Sequence, residues 1–250
     1  MGNGGNAWAG TRRDRPGADG PGATAVEPAD PAGRPRPTGL SAAPASGAAA
    51  PDEPADRGDR GIGWVMVLTG IIGWLASFRL AVDEWRLLKD PDHRPSCDID
   101  AVIGCVEAMF SRQGSVFGFP NPMVGLGAFA VVAALGLAVL GGARLNRWLW
   151  WGLNAGALAG VVFTHWFIHQ SLYELGRLCP YCMVVWFVTI ALFWYLTLHT
   201  LRHGIVPVPS GGRRALAVAL ENRALLLAAW YGVIAMLVLT RFWEYWIGLL

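Results

Sequence analysis

Lysine is almost missing from this chain. Lys89 is the only one among 250 residues, 15% of the chain is charged, and 20 basic against 18 acidic side chains leave a net charge of +2. So small and scattered an arginine excess makes no basic stripe for a phosphate backbone, which argues against nucleic acid as a partner. Aromatic residues are missing from one region. Over residues 1–60, Trp8 stands alone in a background of Gly, Ala, Pro, Arg and Asp. That stretch cannot bury enough apolar surface to offset its ordering entropy, so a disordered tail is predicted there. It also lacks a basic start followed by an apolar stretch and a cleavage site, so no signal peptide is expected. GxGxxG and CxxCH are both absent, which removes the dinucleotide fingerprint and c-type haem attachment.

What remains is strongly apolar and carries every tryptophan but Trp8. Five runs are long enough, or nearly so, to cross a bilayer as helices: 61–82, 122–143, 148–169, 180–200 and 224–240. The second holds no charge, and the fifth is the shortest but is followed by Phe242, Trp243, Tyr245 and Trp246, an interfacial aromatic belt. The expected fold is an all-α membrane protein with five transmembrane helices. Basic residues set its orientation. Arg57, Arg60, Arg144, Arg147, Arg202, Arg213, Arg214 and Arg223 fall on one side, against Arg86, Lys89, Arg94, Arg112, Arg177 and Arg241 on the other. Eight against six favours a cytoplasmic N-terminus in the plasma membrane, with the first span as uncleaved anchor. The loop 83–121, carrying seven acidic residues, then lies outside. All four cysteines gather at that outer face, where disulfides persist.

Cys179 and Cys182 open the fourth run in "CPYC". Three positions apart, they share one helical face. Pro180 suits the first helical position, which leaves Cys179 as N-cap with free backbone N–H groups that favour a thiolate. A disulfide here closes so short a loop that its stabilising value is small, so redox chemistry is the better reading. Cys97 and Cys105 lie in "SCDIDAVIGCVEAMFSRQGSVFGFPNP". Asp100 is a candidate N-cap, and Val102, Ile103, Val106, Met109 and Phe110 follow helical spacing, which predicts an amphipathic surface helix carrying Cys105. Eight positions separate Cys97 from Cys105, so they bridge only if the loop folds back. A loop-stabilising disulfide and a second redox pair are both open. A zinc site would need closer ligand pairs, and none is expected. A dithiol buried in lipid needs an electron acceptor, and with flavin and haem motifs absent the candidate is a lipid-soluble quinone enclosed by helices.

"CDIDAVIGC", Ser111, "PNPMVG", and "CPYC" followed four residues later by Trp186 together resemble the vitamin K epoxide reductase (VKOR) family, and within it the bacterial homologues that drive disulfide formation. The resemblance covers about residues 61–205, with 206–250 adding a cytoplasmic loop, a fifth span and a short external end. It implies a four-helix bundle enclosing a quinone of the menaquinone or ubiquinone type, capped by the cysteine loop, with the fifth helix peripheral. It implies that Cys97 meets the partner's thiols, Cys105 attacks the CxxC disulfide, Cys179 is the cysteine so linked, and Cys182 reduces the quinone. Asn121 and Trp186 fall at quinone-contacting positions, and Ser111 at a Ser/Thr position near the loop cysteines. Many bacterial members carry a thioredoxin-like domain after span five; with Leu250 as last residue, the expected partner is a separate external thioredoxin-fold thiol oxidase. The alternatives are a vitamin K epoxide or quinone reductase using the same site, and a transporter or scaffold with structural disulfides. Against the last, spans two to four hold no Asp, Glu or Lys.

Other features read as structural. His165 and His169, four apart, are two ligands and not a metal site. His199 and His203 read as surface anchors. Gly152, Gly156 and Gly160 make GxxxG steps, expected to allow close helix packing within the bundle or between subunits.

Overall fold

A backbone crosses lipid most readily as helix, because every N–H then has a carbonyl within the segment. In the computed structural model, which describes residues 57–100, 102–207 and 210–248, each of the five apolar runs is helical. The long helices are α1 (Arg57–Lys89), α3 (Asn121–Leu140), α4 (Arg147–His169), α5 (Pro180–Arg202) and α7 (Arg223–Arg241). Three short ones are α2 (Val106–Phe110), α6 (Arg213–Glu221) and α8 (Trp243–Gly248). Among the described residues there is no strand, only an isolated bridge between Ile103 and Leu178. The expected disordered tail lies outside the described residues except at its end, where α1 already begins at Arg57.

Among the described residues, four helices are long and apolar enough to cross a membrane: Arg60–Lys89, Asn121–Leu140, Pro180–Arg202 and Arg223–Arg241. The expectation of five spans differs at α4. Its 23 residues suffice in length, but Trp148, Trp150, Trp151, Asn154, His165, Trp166 and His169 hold its hydropathy down. Its packing is nonetheless that of a bundle member, antiparallel to α5 from end to end. The Trp150 and His199 rings meet in a tilted contact with centroids 4.7 Å apart, Asn154 donates to Thr200 Oγ1 at 2.7 Å, and Phe167 and Ile168 cluster with Trp186 and Leu178. α1 also outruns expectation. The loop foreseen to begin at 83 stays helical to Lys89, because Leu80 and Leu87 on one face pack into the cluster that holds Cys97, Cys105 and Cys179.

Helices in lipid gain little from the hydrophobic effect on each other and associate by close packing. α1 and α3 meet through glycine. A Cβ on Gly70 would come within 2.7 Å of the Ala133 backbone, and one on Gly136 within 2.8 Å of Met66 Cβ. Ile62 and Met66 of α1, Val139 of α3, Trp150 and Ala157 of α4, and Leu192 and Leu196 of α5 then form one buried cluster. Four helices therefore share one core at the end away from the cysteines. α7 lies outside it. Trp230 Nε1 donates to His165 Nε2 at 3.1 Å, and Tyr231 Oη donates to the Phe187 carbonyl at 2.7 Å. His165 Nδ1 lies 2.9 Å from the Val161 carbonyl, so this pattern makes the ring a neutral pin between α4 and α7. The His169 ring lies tilted against Tyr173, with centroids 5.0 Å apart. No metal-binding group of three or more ligands occurs among the described residues.

Candidate active site

The loop and the CxxC meet through backbone. Leu178 N donates to the Val102 carbonyl at 2.8 Å, and Gly104 N donates to the Leu178 carbonyl at 3.1 Å. This short bridge puts Cys105 and Cys179, each just beyond it, side by side. Their sulfurs are 3.3 Å apart. Gly176, left-handed at φ 63°, ends the π-helical turn Gln170–Leu175 after α4 and turns the chain toward Leu178.

The loop does fold back. Cys97 and Cys105 form a disulfide with a Cα separation of 5.8 Å. Ile99 N and Asp100 N both donate to the Ile103 carbonyl, and Asp100 Oδ1 accepts from Val102 N and Ile103 N at 2.8 and 2.9 Å. This corrects the expected helix. Asp100 caps a tight turn, residues 102–104 pair with Leu178, and α2 begins only at Val106 with Cys105 at its N-cap. A side chain that satisfies local N–H groups competes with helix, and here it prevails.

Cys179 is the N-cap of α5, with Pro180 next and its sulfur accepting from Cys182 N at 3.3 Å. The hydrogen bond from the Cys182 side chain, then the N–H groups of Cys182 and Tyr181, hold the Cys179 thiol below the usual thiol range against the opposing effect of burial. Cys179 and Cys182 are free thiols. Three of the four cysteines are shut away: Cys105 is 0%, Cys179 1% and Cys97 3% exposed.

Beneath the sulfurs lies a cavity of about 710 Å³, walled by α1, α3, α4 and α5. Cys105, Cys179 and Cys182 line it, together with Phe129, Phe163, Phe167 and Trp186. Its size and apolar wall suit a small hydrophobic molecule. The glycine reading changes here. A Cβ on Gly152 or Gly156 would meet nothing within 4 Å, and only Gly160 has a neighbour, Thr189 Cγ2 at 3.2 Å. All three line the cavity, so within the bundle Gly152 and Gly156 leave room and bring no helix closer.

The sequence-predicted contacts divide. Trp186, 4% exposed, and Asn121 both line the cavity. The Asn121 amide is also a loop clamp: Nδ2 donates to the Gln113 carbonyl at 2.6 Å and Oδ1 accepts from Val116 N at 3.2 Å. Its second N–H and second lone pair are left for a ligand. Ser111 caps the turn Arg112–Ser115, donating to the Ala108 carbonyl and accepting from Gly114 N, and is not part of the cavity wall. Sequence reasoning missed Arg177 and Tyr245. Arg177 donates from Nη2 and Nε to both carboxylate oxygens of Glu107, each at 2.5 Å, and from Nη1 to the Asp100 carbonyl at 3.1 Å. Tyr245 donates to Asp100 Oδ2 at 2.5 Å. That bond, with those from Ile103 and Val102, lowers the Asp100 pKa, and it raises that of Tyr245. Arg177 had counted only as a charge beside the membrane, and Tyr245 only as part of an aromatic belt.

A family model for the vitamin K epoxide reductase family matches residues 64–197, more than half of the chain. The chain belongs to the vitamin K epoxide reductase family. The match takes in all four cysteines, Asn121, Trp186 and the cavity walls, and stops before α6, α7 and α8. No curated protein sequence matches the chain. Membership in the vitamin K epoxide reductase family makes the chain a multi-pass membrane oxidoreductase of the thiol and quinone type, with its cysteine pairs at one end of the bundle.

Proposed function

We propose that the chain takes two electrons from a separate external thioredoxin-fold protein and delivers them to a membrane quinone of the menaquinone or ubiquinone type, so driving disulfide formation outside the cell. The observation that carries this reading is the 3.3 Å contact between Cys105 of the loop disulfide and Cys179 of the CxxC. A thiolate exchanges only with a sulfur it can touch, and two independent stabilising bridges have no reason to touch.

The relay balances as follows. A partner thiolate attacks Cys97, breaking the bond to Cys105, which leaves as a thiolate. Cys105 attacks Cys179 of an oxidised CxxC, and Cys182 leaves. The partner's second thiolate attacks its own sulfur in the mixed disulfide, releasing the partner oxidised and Cys97 as a thiolate. Cys97 then attacks Cys105, remaking the loop disulfide and freeing Cys179. A bound quinone supplies a sink for two electrons and two protons. Cys182, in the cavity wall, is the donor to that sink and re-forms its bond with Cys179. The cavity residues fit such a ring: the wall is apolar, and Asn121 offers an amide N–H. Trp186 offers an indole N–H, which donates and cannot accept.

The orientation proposed is a cytoplasmic N-terminus, five spans with α4 among them, and the cysteines outside. It is supported by the basic residues of the 144–147 and 201–223 segments and by the packing of α4 along α5. The test is quinone absorbance with purified protein and a reduced thioredoxin-fold donor. Wild type consumes quinone, Cys182→Ser does not, and Cys97→Ser fails with the protein donor yet still turns over with a small dithiol. Full turnover by Cys182→Ser would remove the role assigned to it.

A further inference from the structure

The relay begins at Cys97, yet Cys97 is buried. No protein thiol reaches its sulfur until the loop lifts, so whatever holds the loop governs the first step. The turn at Asp100 is the handle. Oδ1 is used within the turn, on Val102 N and Ile103 N. The carbonyl is held by Arg177, next to the CxxC segment. The remaining oxygen, Oδ2, is held by the hydroxyl of Tyr245, 145 residues along the chain on α8.

That hydroxyl is presented by a segment with its own anchorage. Arg241 Nε donates to the Leu172 carbonyl at 2.9 Å, and Phe242 is buried. Tyr245 and Trp246 pack with Val102 on the cluster that includes Leu178 and Trp186. Removing the bond to Asp100 therefore leaves α8 seated. α7 and α8 lie beyond the family match, so this contact is an addition to the bundle that carries the cysteines.

We propose that Tyr245 is a positioning residue for the relay: its hydroxyl latches the Asp100 turn, keeping Cys105 against Cys179 and Cys97 closed, and its release admits the partner. This deepens the proposed function and rests on it. A latch has opposite effects on two steps. Loosening it exposes Cys97 and eases partner access, while it blurs the Cys105 to Cys179 contact and slows internal exchange.

The test uses the full chain in lipid nanodiscs. Tyr245→Phe removes one oxygen and keeps the ring. Cleavage of the Cys97–Cys105 bond by a water-soluble phosphine, read by alkylation and mass, is expected to run about three- to tenfold faster than in wild type, the range for the net loss of one ordinary intramolecular hydrogen bond. With a reduced thioredoxin-fold donor, KM and kcat are expected to fall together. Asp100→Asn keeps the turn but puts a neutral amide N–H against the hydroxyl in place of the charged acceptor, so it should shift both quantities in the same direction by less, and the double variant should match Tyr245→Phe. Trp243→Phe, an exposed neighbour on α8, should match wild type. A merely structural tyrosine would lower kcat through a smaller active fraction and leave KM and the phosphine rate alone. Unchanged phosphine cleavage in Tyr245→Phe overturns the latch even where wild type oxidises the donor. A wild type that oxidises no donor overturns the relay reading instead, and the phosphine comparison stands apart from it.

Discussion

At the scale of single residues, the site is two sulfur pairs held in register by a few backbone bonds. Cys179 is the N-cap of α5, where the Cys182 side chain and then the N–H groups of Cys182 and Tyr181 lower its pKa. The sign follows directly. A depressed thiol pKa keeps thiolate available as pH falls below the ordinary thiol range, and loses it only below the lowered value. Exchange initiated by reduced Cys179 is therefore expected to titrate at a lower pH in wild type than in Cys182→Ala, which loses the largest lowering contribution, the hydrogen bond from the Cys182 side chain; stopped-flow exchange with a small disulfide across pH checks it. The cysteines were legible because CxxC before an apolar run is a chemical pattern. Tyr245 and Arg177 were not, because their partner Asp100 lies 145 and 77 positions away and one sequence carries no signal of contacts that distant. Asn121 was legible as a cavity residue through the family pattern but not as a clamp on Gln113 and Val116. Asn121→Ala should lower thermal stability by about 1 kcal/mol, the worth of a partly exposed hydrogen-bonded amide, along with quinone turnover; a loss of turnover at unchanged melting temperature would assign it to the ligand alone.

At the scale of elements, apolar length and composition predicted each long helix, since in lipid they nearly suffice. They failed where two local interactions compete. Residues 102–110 have helical spacing, but Asp100 and Leu178 capture the first three in a turn and a bridge. Within the bundle, the GxxxG steps of α4 read differently for another reason: small residues make a groove whether a helix or a cavity fills it. The two kinds of glycine separate by substitution. Gly136→Leu drives side-chain atoms into Met66 and Val67 and should abolish the folded bundle, by the several kcal/mol typical of severe overpacking or more. Gly156→Leu points into open space, should fold, and should weaken quinone binding by filling the cavity. Melting temperature and quinone affinity, measured together, decide. Equal destabilisation by both would return the α4 glycines to a packing role.

At the scale of the whole molecule, four helices share a core and wall a cavity lined by Cys105, Cys179 and Cys182, and α8, which follows α7, touches the loop. The fifth helix is peripheral to the core, as the sequence resemblance implied, but the segment that follows it reaches the cysteine loop through Tyr245. In cells, depletion of quinone should drive Cys179 and Cys182 to the reduced form, read by thiol trapping; disulfides that stayed oxidised would fit a scaffold instead. The central claim is that the two cysteine pairs exchange with each other. The variant Cys97→Ser/Cys182→Ser leaves one cysteine of each pair, and peptide mass spectrometry after mild oxidation reads what they do. The account predicts a single intramolecular bond between Cys105 and Cys179 in nearly every molecule. Two free thiols, or bonds only between molecules, would contradict it.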